Sequence, residues 1–162
     1  MSAFDELEVR PGMTAREKIV FMDVCISTEL SPIDLPLQHF FTNGMYARQM
    51  FLPAGAVLTG KLHLHDHFFM VNQGDISIFS SDTGMATRVQ APFFCVSKAG
   101  VRRAGFAHED TIVTTIHICP TEDLEEAERL LVVDTFEDYE NWLLEQENEQ
   151  KNIEVGVCLG QQ

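Results

Sequence analysis

Between residues 38 and 119 the sequence consists of short apolar runs that are rich in Val, Ile, Phe and Thr. Turn-forming segments separate these runs, namely NG, PAG, QGD, SDTG, SKAG and HED. No helical apolar period lies between them, and short strands at this spacing are typical of an antiparallel sandwich or a small barrel. This region therefore predicts a single, mainly β unit.

Helical patterns flank the β region on both sides. Thr14 and Glu17 have the spacing of a capping box, and the apolar residues after them follow a helical period, which predicts a helix at about 14–28. The segment LSPIDLPLQ contains two closely spaced prolines, which favour an extended connector. Acidic residues suited to a first helical turn follow both Thr121 and Thr135, so two C-terminal helices are predicted with these threonines as N-caps.

The 162 residues of the chain, with 45% hydrophobic content, suffice for one compact domain with its own core. We divide it into an N-terminal helix with its connector (1–37), the β region (38–119) and a helical segment (120–162). No apolar run approaches the roughly 20 residues that cross a bilayer, and the opening MSAFDELEVR has no signal-peptide pattern. The four scattered cysteines match no CxxC spacing. We therefore expect a cytoplasmic protein with reduced thiols and no membrane partner.

The charge of the chain is strongly negative and unevenly distributed. Its formal net charge is -14, which repels a polyanion and predicts no nucleic-acid partner. Residues 121–150 contain twelve acidic residues and one basic residue, whereas residues 61–103 contain five basic and three acidic residues. The acidity thus belongs to the C-terminal segment, and the middle of the β region is slightly basic.

Three histidines stand at every second position of the segment GKLHLHDH, namely His63, His65 and His67. Alternate residues of a strand face the same side, so these imidazoles can converge on one point, a geometry suited to Zn, Mn, Fe, Ni or Cu. A solvated strand face and a set of hydrogen-bonded core histidines produce the same spacing. The residues alone leave both interpretations open.

The spacing around these histidines resembles the first motif of the cupin family. Gly55, Lys61, His63, His67 and Gly74 stand where that motif has Gly, His, His, Glu and Gly. The resemblance implies that the side chains at 61, 63 and 67 point into a barrel.

A second segment, SKAGVRRAGFA, resembles the second cupin motif. Lys98 stands where that family usually has Pro, Gly100 is retained, and Arg103 stands where its last metal-binding His is found. The resemblance covers about residues 39–119 and implies a single cupin-type antiparallel β-barrel, or jelly roll. One N-terminal and two C-terminal helices lie outside it.

The chain resembles one group of cupin-like proteins in particular. TGKLHLHDH, GDISIF, APFFCVSKAGVRRAGFAHEDTIVTTIH and the acidic TEDLEEAERL together are similar to small bacteriophage cupin-like proteins of undefined activity. This resemblance implies a phage protein that acts in the host cytoplasm or in the virion, and it supplies no reaction.

Two of the four positions that bind metal in a typical cupin carry cations here, Lys61 and Arg103. A cation that points into a low-dielectric pocket disfavours a divalent ion by direct repulsion. Among the remaining residues, His65 and His117 can restore a ligand set. If residues 108–110 form a tight hairpin turn, His117 lies roughly opposite Arg103, which gives a cluster of His63, His67 and His117 with His65 as an alternate.

The same residues also suit a pocket without metal. Lys61 and Arg103 can bind the carboxylate or phosphate of a small ligand, with the histidines as further donors or as a general base. A different role for Arg102 or Arg103 is an ion pair with Glu109 or Asp110 that fixes the turn.

Three classes of function follow from these features. The leading interpretation is a small-molecule-binding cupin of phage type with a divalent transition metal (Zn, Mn, Fe or Ni), whose reaction is unspecified. A second class binds an anionic small molecule without turnover. The alternative is a non-catalytic scaffold that assembles as a homo-oligomer or as a virion component. Short amphipathic helices favour a homodimer in each case.

Overall fold

The computed structural model of the protein describes residues 12–29 and 33–159. The helices are α1 (Ala15–Glu29), α2 (Leu124–Leu131) and α3 (Phe136–Leu159). The strands are β1 (Leu37–Thr42), β2 (Met45–Leu52), β3 (Val57–Thr59), β4 (Leu62–His63), β5 (His67–Gln73), β6 (Asp75–Ser80), β7 (Ala86–Gln90), β8 (Phe93–Ser97), β9 (Arg103–Ala107), β10 (Thr111–Ile118) and β11 (Val132–Val133). Within these residues, no helix is both long enough and apolar enough to cross a membrane.

Nine of these strands form two antiparallel sheets, and the other two form a small third one. The larger sheet has the order β1-β2-β10-β5-β8, the smaller has the order β3-β9-β6-β7, and β4 pairs with β11. Neighbouring strands such as β2 and β10 are far apart in sequence, as the crossovers of a jelly roll require. The predicted mainly β jelly roll with one N-terminal and two C-terminal helices is confirmed.

The main core lies between the inner faces of the two sheets. Leu52, Val71 and Val113 of the larger sheet are buried together with Ile76 and Ala107 of the smaller sheet. Inward residues alternate with outward ones along each strand, because successive side chains of a strand point to opposite faces. This alternation determines which side chains can reach the interior.

The expected hairpin around residues 108–110 is not present. β9 pairs with β3 and β6 in the smaller sheet, whereas β10 pairs with β2 and β5 in the larger one. The segment 108–110 therefore carries the chain from one sheet to the other. Neither Arg102 nor Arg103 forms the expected ion pair in this turn, and Arg102 instead pairs with Asp23 of α1.

The predicted first helix is confirmed together with its cap. The backbone N–H of Thr14 donates to Glu17 Oε2 over 2.7 Å, and the N–H of Glu17 donates to Thr14 Oγ1 over 3.3 Å. α1 packs on the outer face of the smaller sheet through Ile19 and Met22, which contact Phe79. The expected connector lies partly outside the described residues, and residues 33–36 have no regular structure.

The two C-terminal helices are also confirmed, with one cap displaced. Asp123 is the N-cap of α2, because its Oδ1 accepts the N–H of Glu126 over 2.8 Å, so the prediction of Thr121 in this role is wrong. Thr135 caps α3 as predicted, since its Oγ1 accepts the N–H of Asp138 over 3.1 Å.

A buried carboxylate joins β6 to β7. Arg88 Nε and Nη2 donate to the two carboxylate oxygens of Asp75 over 2.8 Å each, and Gln90 donates to the same carboxylate over 2.8 Å. These hydrogen bonds lower the pKa of Asp75 to about 2. A buried charge of this protein is thus fully paired, as the cost of desolvating a charge requires.

Gly74, the last glycine of the first motif, stands at the bend between β5 and β6. Its φ of +88° lies in the left-handed region. A Cβ at this position would lie 2.5 Å from the carbonyl oxygen of Asp110 and 2.8 Å from Thr111 Cα. Both of these atoms belong to the backbone, which cannot move aside as a side chain can. Glycine is therefore required here by both conformation and space.

We expect Gly74→Ala to destabilise the protein more than Gly44→Ala, as measured by the free energy of unfolding in urea. Gly44 has a similar φ of +80°, but a Cβ there meets nothing within 4 Å. The control variant thus isolates the cost of the left-handed conformation, about 1–2 kcal/mol. Gly74→Ala should cost a further ~1–3 kcal/mol for the collision. Equal losses in the two variants would contradict this assignment.

Candidate functional site

A cavity of about 290 Å³ lies between the two sheets. Its aliphatic wall includes Met50, Leu58, Ile76 and Ile78. Its polar and charged lining residues are Arg48, Thr59, Lys61, His63, His67, Arg103 and Thr115. The cavity thus combines a large apolar surface with a few polar groups, which is typical of a small-molecule site.

Three imidazoles lie close together, and two of them, those of His63 and His67, line this cavity. His63 is the last residue of β4, His67 is the first residue of β5, and His117 lies near the end of β10. The ring centroids of His63 and His67 are 3.9 Å apart, and that of His117 lies 5.0 Å from the first and 4.6 Å from the second. The structure therefore brings together His63, His67 and His117 in a cluster that can hold a metal ion.

Burial keeps these three histidines neutral. Desolvation is the largest cause in each case and lowers the pKa of His63 to about 2, of His67 to about 4 and of His117 to about 3. The charges of Arg48 and Arg103 lower the pKa of His63 further. Metal binding requires the neutral form of imidazole, so at neutral pH no proton has to leave the cluster first.

The donor atoms of the cluster fit a metal ion. Each residue offers one ring nitrogen within 4.8 Å of the others. An ion about 2.1 Å from each nitrogen spans two nitrogens at most about 4.2 Å apart, so the nitrogens have to come slightly closer together. The rings are nearly parallel, with interplanar angles of 29°, 8° and 22°, so they also have to turn before their lone pairs point at one ion. Nδ1 of His67 lies 3.2 Å from the carbonyl oxygen of His65, and donation there leaves Nε2 of His67 free as a ligand. Nδ1 of His63 is buried without a hydrogen-bond partner among the described residues.

His65 lies outside this cluster. β4 ends at His63 and the chain bends at residues 64–65, so the strand alternation that suggested a common face does not extend through this segment. The side chain of His65 is exposed, and its ring meets the edge of Trp142 of α3 at 5.3 Å between centroids.

The two cations at the aligned ligand positions have different environments. Lys61 lines the cavity but is half exposed, and its Nζ lies 3.2 Å from Asp134. Arg103 is more enclosed, donates to Ser97 Oγ and lies over the ring of Phe69 at 5.5 Å. Burial lowers the pKa of Arg103, and no carboxylate among the described residues forms an ion pair with it.

Sequence reasoning missed Arg48 and Thr115, which face each other on β2 and β10. Nε of Arg48 and Oγ1 of Thr115 are both buried without a hydrogen-bond partner among the described residues. The sequence does indicate the position of Arg48. In the strand MYARQMFL it lies on the same face as the inward-facing Tyr46, Met50 and Leu52. An arginine on the apolar side of a strand indicates an interior charge.

Comparisons with solved structures find cupin-domain proteins. A conserved protein with a double-stranded β-helix domain from Klebsiella pneumoniae is 17% identical, with 75% of this chain and 90% of that chain covered and a TM-score of 0.47. A cupin superfamily protein from Desulfitobacterium hafniense is 10% identical, with 56% and 83% covered and a TM-score of 0.46. The Cnp3 cupin domain from Schizosaccharomyces pombe is 17% identical, with 63% and 79% covered and a TM-score of 0.44.

The sequence itself matches no protein-family model and no curated protein. Identities this low concern the fold alone, and the jelly roll itself rests on the strand order described above. The chemistry of the site has to be argued from its own residues.

We expect the free energy of unfolding to fall as the pH is lowered from 6.5 to 4.5 in buffer with EDTA. The unfolded histidines protonate near pH 6.5, whereas the folded cluster stays neutral to lower pH, so the unfolded state binds more protons in this window. The stabilising contribution is complete above pH 6.5 and is lost towards the folded pKa values. Asp75 titrates below this window, because its hydrogen bonds lower its pKa to about 2.

Urea denaturation at pH 7.5, 6.5, 5.5 and 4.5 measures this dependence. In the double variant His63→Gln/His117→Gln, the decline should be shallower because two of the titrating groups are absent. A wild-type stability that does not change between pH 6.5 and 4.5 would contradict the neutral assignment of the cluster.

Proposed function

We propose that the protein binds a divalent transition metal ion through His63, His67 and His117 and accepts a small anionic molecule in the adjacent cavity. The observation that carries this proposal is the convergence of three neutral imidazoles, whose donor nitrogens lie within 4.8 Å of one another. Neutral imidazole suits Zn, Fe and Ni, and with water or ligand oxygens also Mn.

The residues of this chain would hold the ion and orient the ligand. A metal ion bound at such a site supplies Lewis acidity or an activated water. The aliphatic wall offers apolar contact to the ligand, and Arg103, with its guanidinium over Phe69, provides a positive charge for an anionic group. The reaction, if the ligand is turned over, is not part of the proposal. On the sequence resemblance alone, we also propose a phage protein that acts in the host cytoplasm or the virion.

The metal content of purified protein tests this proposal. We expect elemental mass spectrometry of untagged wild-type protein, purified without chelator, to find close to one transition metal ion per chain. The double variant His63→Ala/His67→Ala should lose this metal, because one remaining imidazole cannot retain the ion.

His65→Ala is the matched control, since it removes a neighbouring histidine that lies outside the cluster. It should keep the metal content of the wild type. Wild-type protein that stays metal-free after incubation with Zn²⁺, Mn²⁺, Fe²⁺ and Ni²⁺ would refute the metal half of the proposal.

A second candidate function, self-assembly, is favoured by the outer face of the larger sheet. The registers of β1, β2, β10, β5 and β8 show which of their residues point outward, and none of these is charged. The large apolar side chains exposed on this face are Phe40, Met45, Phe68, Phe94, Val96 and Ile118. Two copies of a chain with a net charge of -14 repel each other, so an uncharged face is where a second copy can approach. We therefore propose a homodimer through this face.

Phe68→Glu/Phe94→Glu should convert the dimer to a monomer in sedimentation equilibrium. The two rings are neighbours, with centroids 5.0 Å apart, and two carboxylates there would repel their counterparts across a symmetric interface. Met85→Glu is the control, because Met85 is 61% exposed outside this face. Wild-type protein that is monomeric at about 100 μM would contradict the proposal.

A further inference from the structure

Two arginines line the cavity without a carboxylate partner. Within residues 12–29 and 33–159, the ion pairs involve Arg16, Lys61, Arg88, Lys98 and Arg102, but neither Arg48 nor Arg103. The chain has 25 acidic residues against 11 basic ones, so acids to pair with these guanidiniums are not scarce. Asp82 acts on Arg103 only from beyond ion-pair distance. A guanidinium in a partly enclosed cavity without a carboxylate in contact is costly to the folded protein.

The buried polar atoms without a partner are concentrated at the same cavity. Over the described residues, the fully buried side-chain nitrogens and oxygens without a hydrogen bond are Arg48 Nε, Thr115 Oγ1 and His63 Nδ1. All three residues line this cavity. Buried polar groups are nearly always satisfied in folded proteins, and an unsatisfied group indicates a missing partner. Arg48 and Thr115 face each other on β2 and β10, so their two unpaired atoms point to one missing ligand, whereas His63 belongs to the histidine cluster.

Elsewhere the fold satisfies its buried charges. The carboxylate of Asp75 accepts three hydrogen bonds from Arg88 and Gln90. Arg102, which directly precedes Arg103 and is only 11% exposed, pairs with Asp23 and also donates to the carbonyl oxygen of Gly60 over 2.7 Å. Arg102 thus has a carboxylate partner and the adjacent Arg103 has none, so the lack of an ion pair is particular to the arginine that lines the cavity.

The size and wall of the cavity restrict what the ligand can be. A volume of about 290 Å³ equals roughly ten times the share of one water molecule, about 30 Å³, so a ligand of about ten non-hydrogen atoms fits. Met50, Leu58, Ile76 and Ile78 offer aliphatic contact to its body. A guanidinium can donate two parallel hydrogen bonds to a carboxylate in a bidentate pair, and a threonine hydroxyl can donate to the same carboxylate.

We propose that the cavity binds a small carboxylic acid with an apolar body, whose carboxylate lies between Arg48 and Arg103 and accepts a hydrogen bond from Thr115. This inference rests on the proposed function in that the cavity takes a small anionic molecule, and it does not require the metal. It assigns Arg48, rather than Lys61, as the partner of Arg103, because Lys61 is half exposed and pairs with Asp134.

Whether Arg48→Met raises or lowers the stability of the ligand-free protein tests the absence of a partner for Arg48. Arg48→Met removes an uncompensated charge and should raise the urea midpoint of the ligand-free protein. Arg88→Met makes the same substitution at a paired arginine and should lower the midpoint, because it leaves the carboxylate of Asp75 buried without its partner. If Arg48 instead stabilises the fold, the urea midpoint should fall in both variants. This result would overturn the inference.

Binding of hexanoate tests the ligand class directly by isothermal titration calorimetry. Hexanoate, hexanamide and succinate each have eight non-hydrogen atoms, but hexanamide lacks the charge and succinate lacks the apolar body. We expect hexanoate to bind at least about tenfold more tightly than either, since a hydrogen bond to a charged group contributes about 1.5–3 kcal/mol. Equal affinity for hexanoate and hexanamide, or no binding of hexanoate at millimolar concentration, would overturn the inference.

Arg48→Met and Arg103→Met should each weaken hexanoate binding by about tenfold or more, whereas Arg88→Met should bind as the wild type does. Unchanged binding in Arg48→Met would refute its assigned role. The titrations are done on EDTA-treated protein and on protein incubated with Zn²⁺, with metal content measured in parallel. If the protein binds hexanoate but never takes up metal, the metal site alone is refuted. If the protein holds stoichiometric metal but does not bind hexanoate, the carboxylate site alone is refuted.

Discussion

The position of β10 in the middle of the larger sheet is the constraint on which the whole site depends. β10 pairs with β2 on one side and with β5 on the other, although both partners are distant from it in sequence. This arrangement brings His117 beside the histidines at 63 and 67, and it sets Thr115 directly opposite Arg48. The histidine cluster and the unpaired polar atoms are thus two consequences of one strand's register, since a shift of one residue would turn His117 and Thr115 to the opposite face of the sheet.

The site contains two sets of side chains that favour ligands of opposite charge. Three neutral imidazoles suit a cation, whereas two guanidiniums nearby suit an anion and disfavour a cation by direct repulsion. A carboxylate in the cavity would reduce that repulsion, so an anion and a metal ion would each favour the binding of the other. A site that binds both species would use the histidines for the cation and the arginines for the anion.

Much of the fold and part of the site could be predicted from the sequence, for identifiable physical reasons. Turn segments and strand alternation are local, so they predicted the β region, and the capping box at Thr14 predicted the first helix. His117 was placed with the cluster, but through a hairpin that does not exist, because sheet order depends on non-local pairing. His65 was misplaced as an alternate ligand because one bend at residues 64–65 ends the alternation. Arg48 was missed although its phase on β2 indicates an inward position, and the sequence does not show that its charge has no partner there.

The acidic C-terminal segment reaches the mouth of the cavity at Asp134, which pairs with Lys61, and β11 is paired there with β4. The negative potential of this segment attracts metal cations and repels carboxylates over about one Debye length. At low ionic strength this field would accelerate the entry of a metal ion and slow the entry of a carboxylic acid, and added salt would weaken both effects. The surface charge of the protein favours a kinetic order in which the cation arrives first and the anion follows.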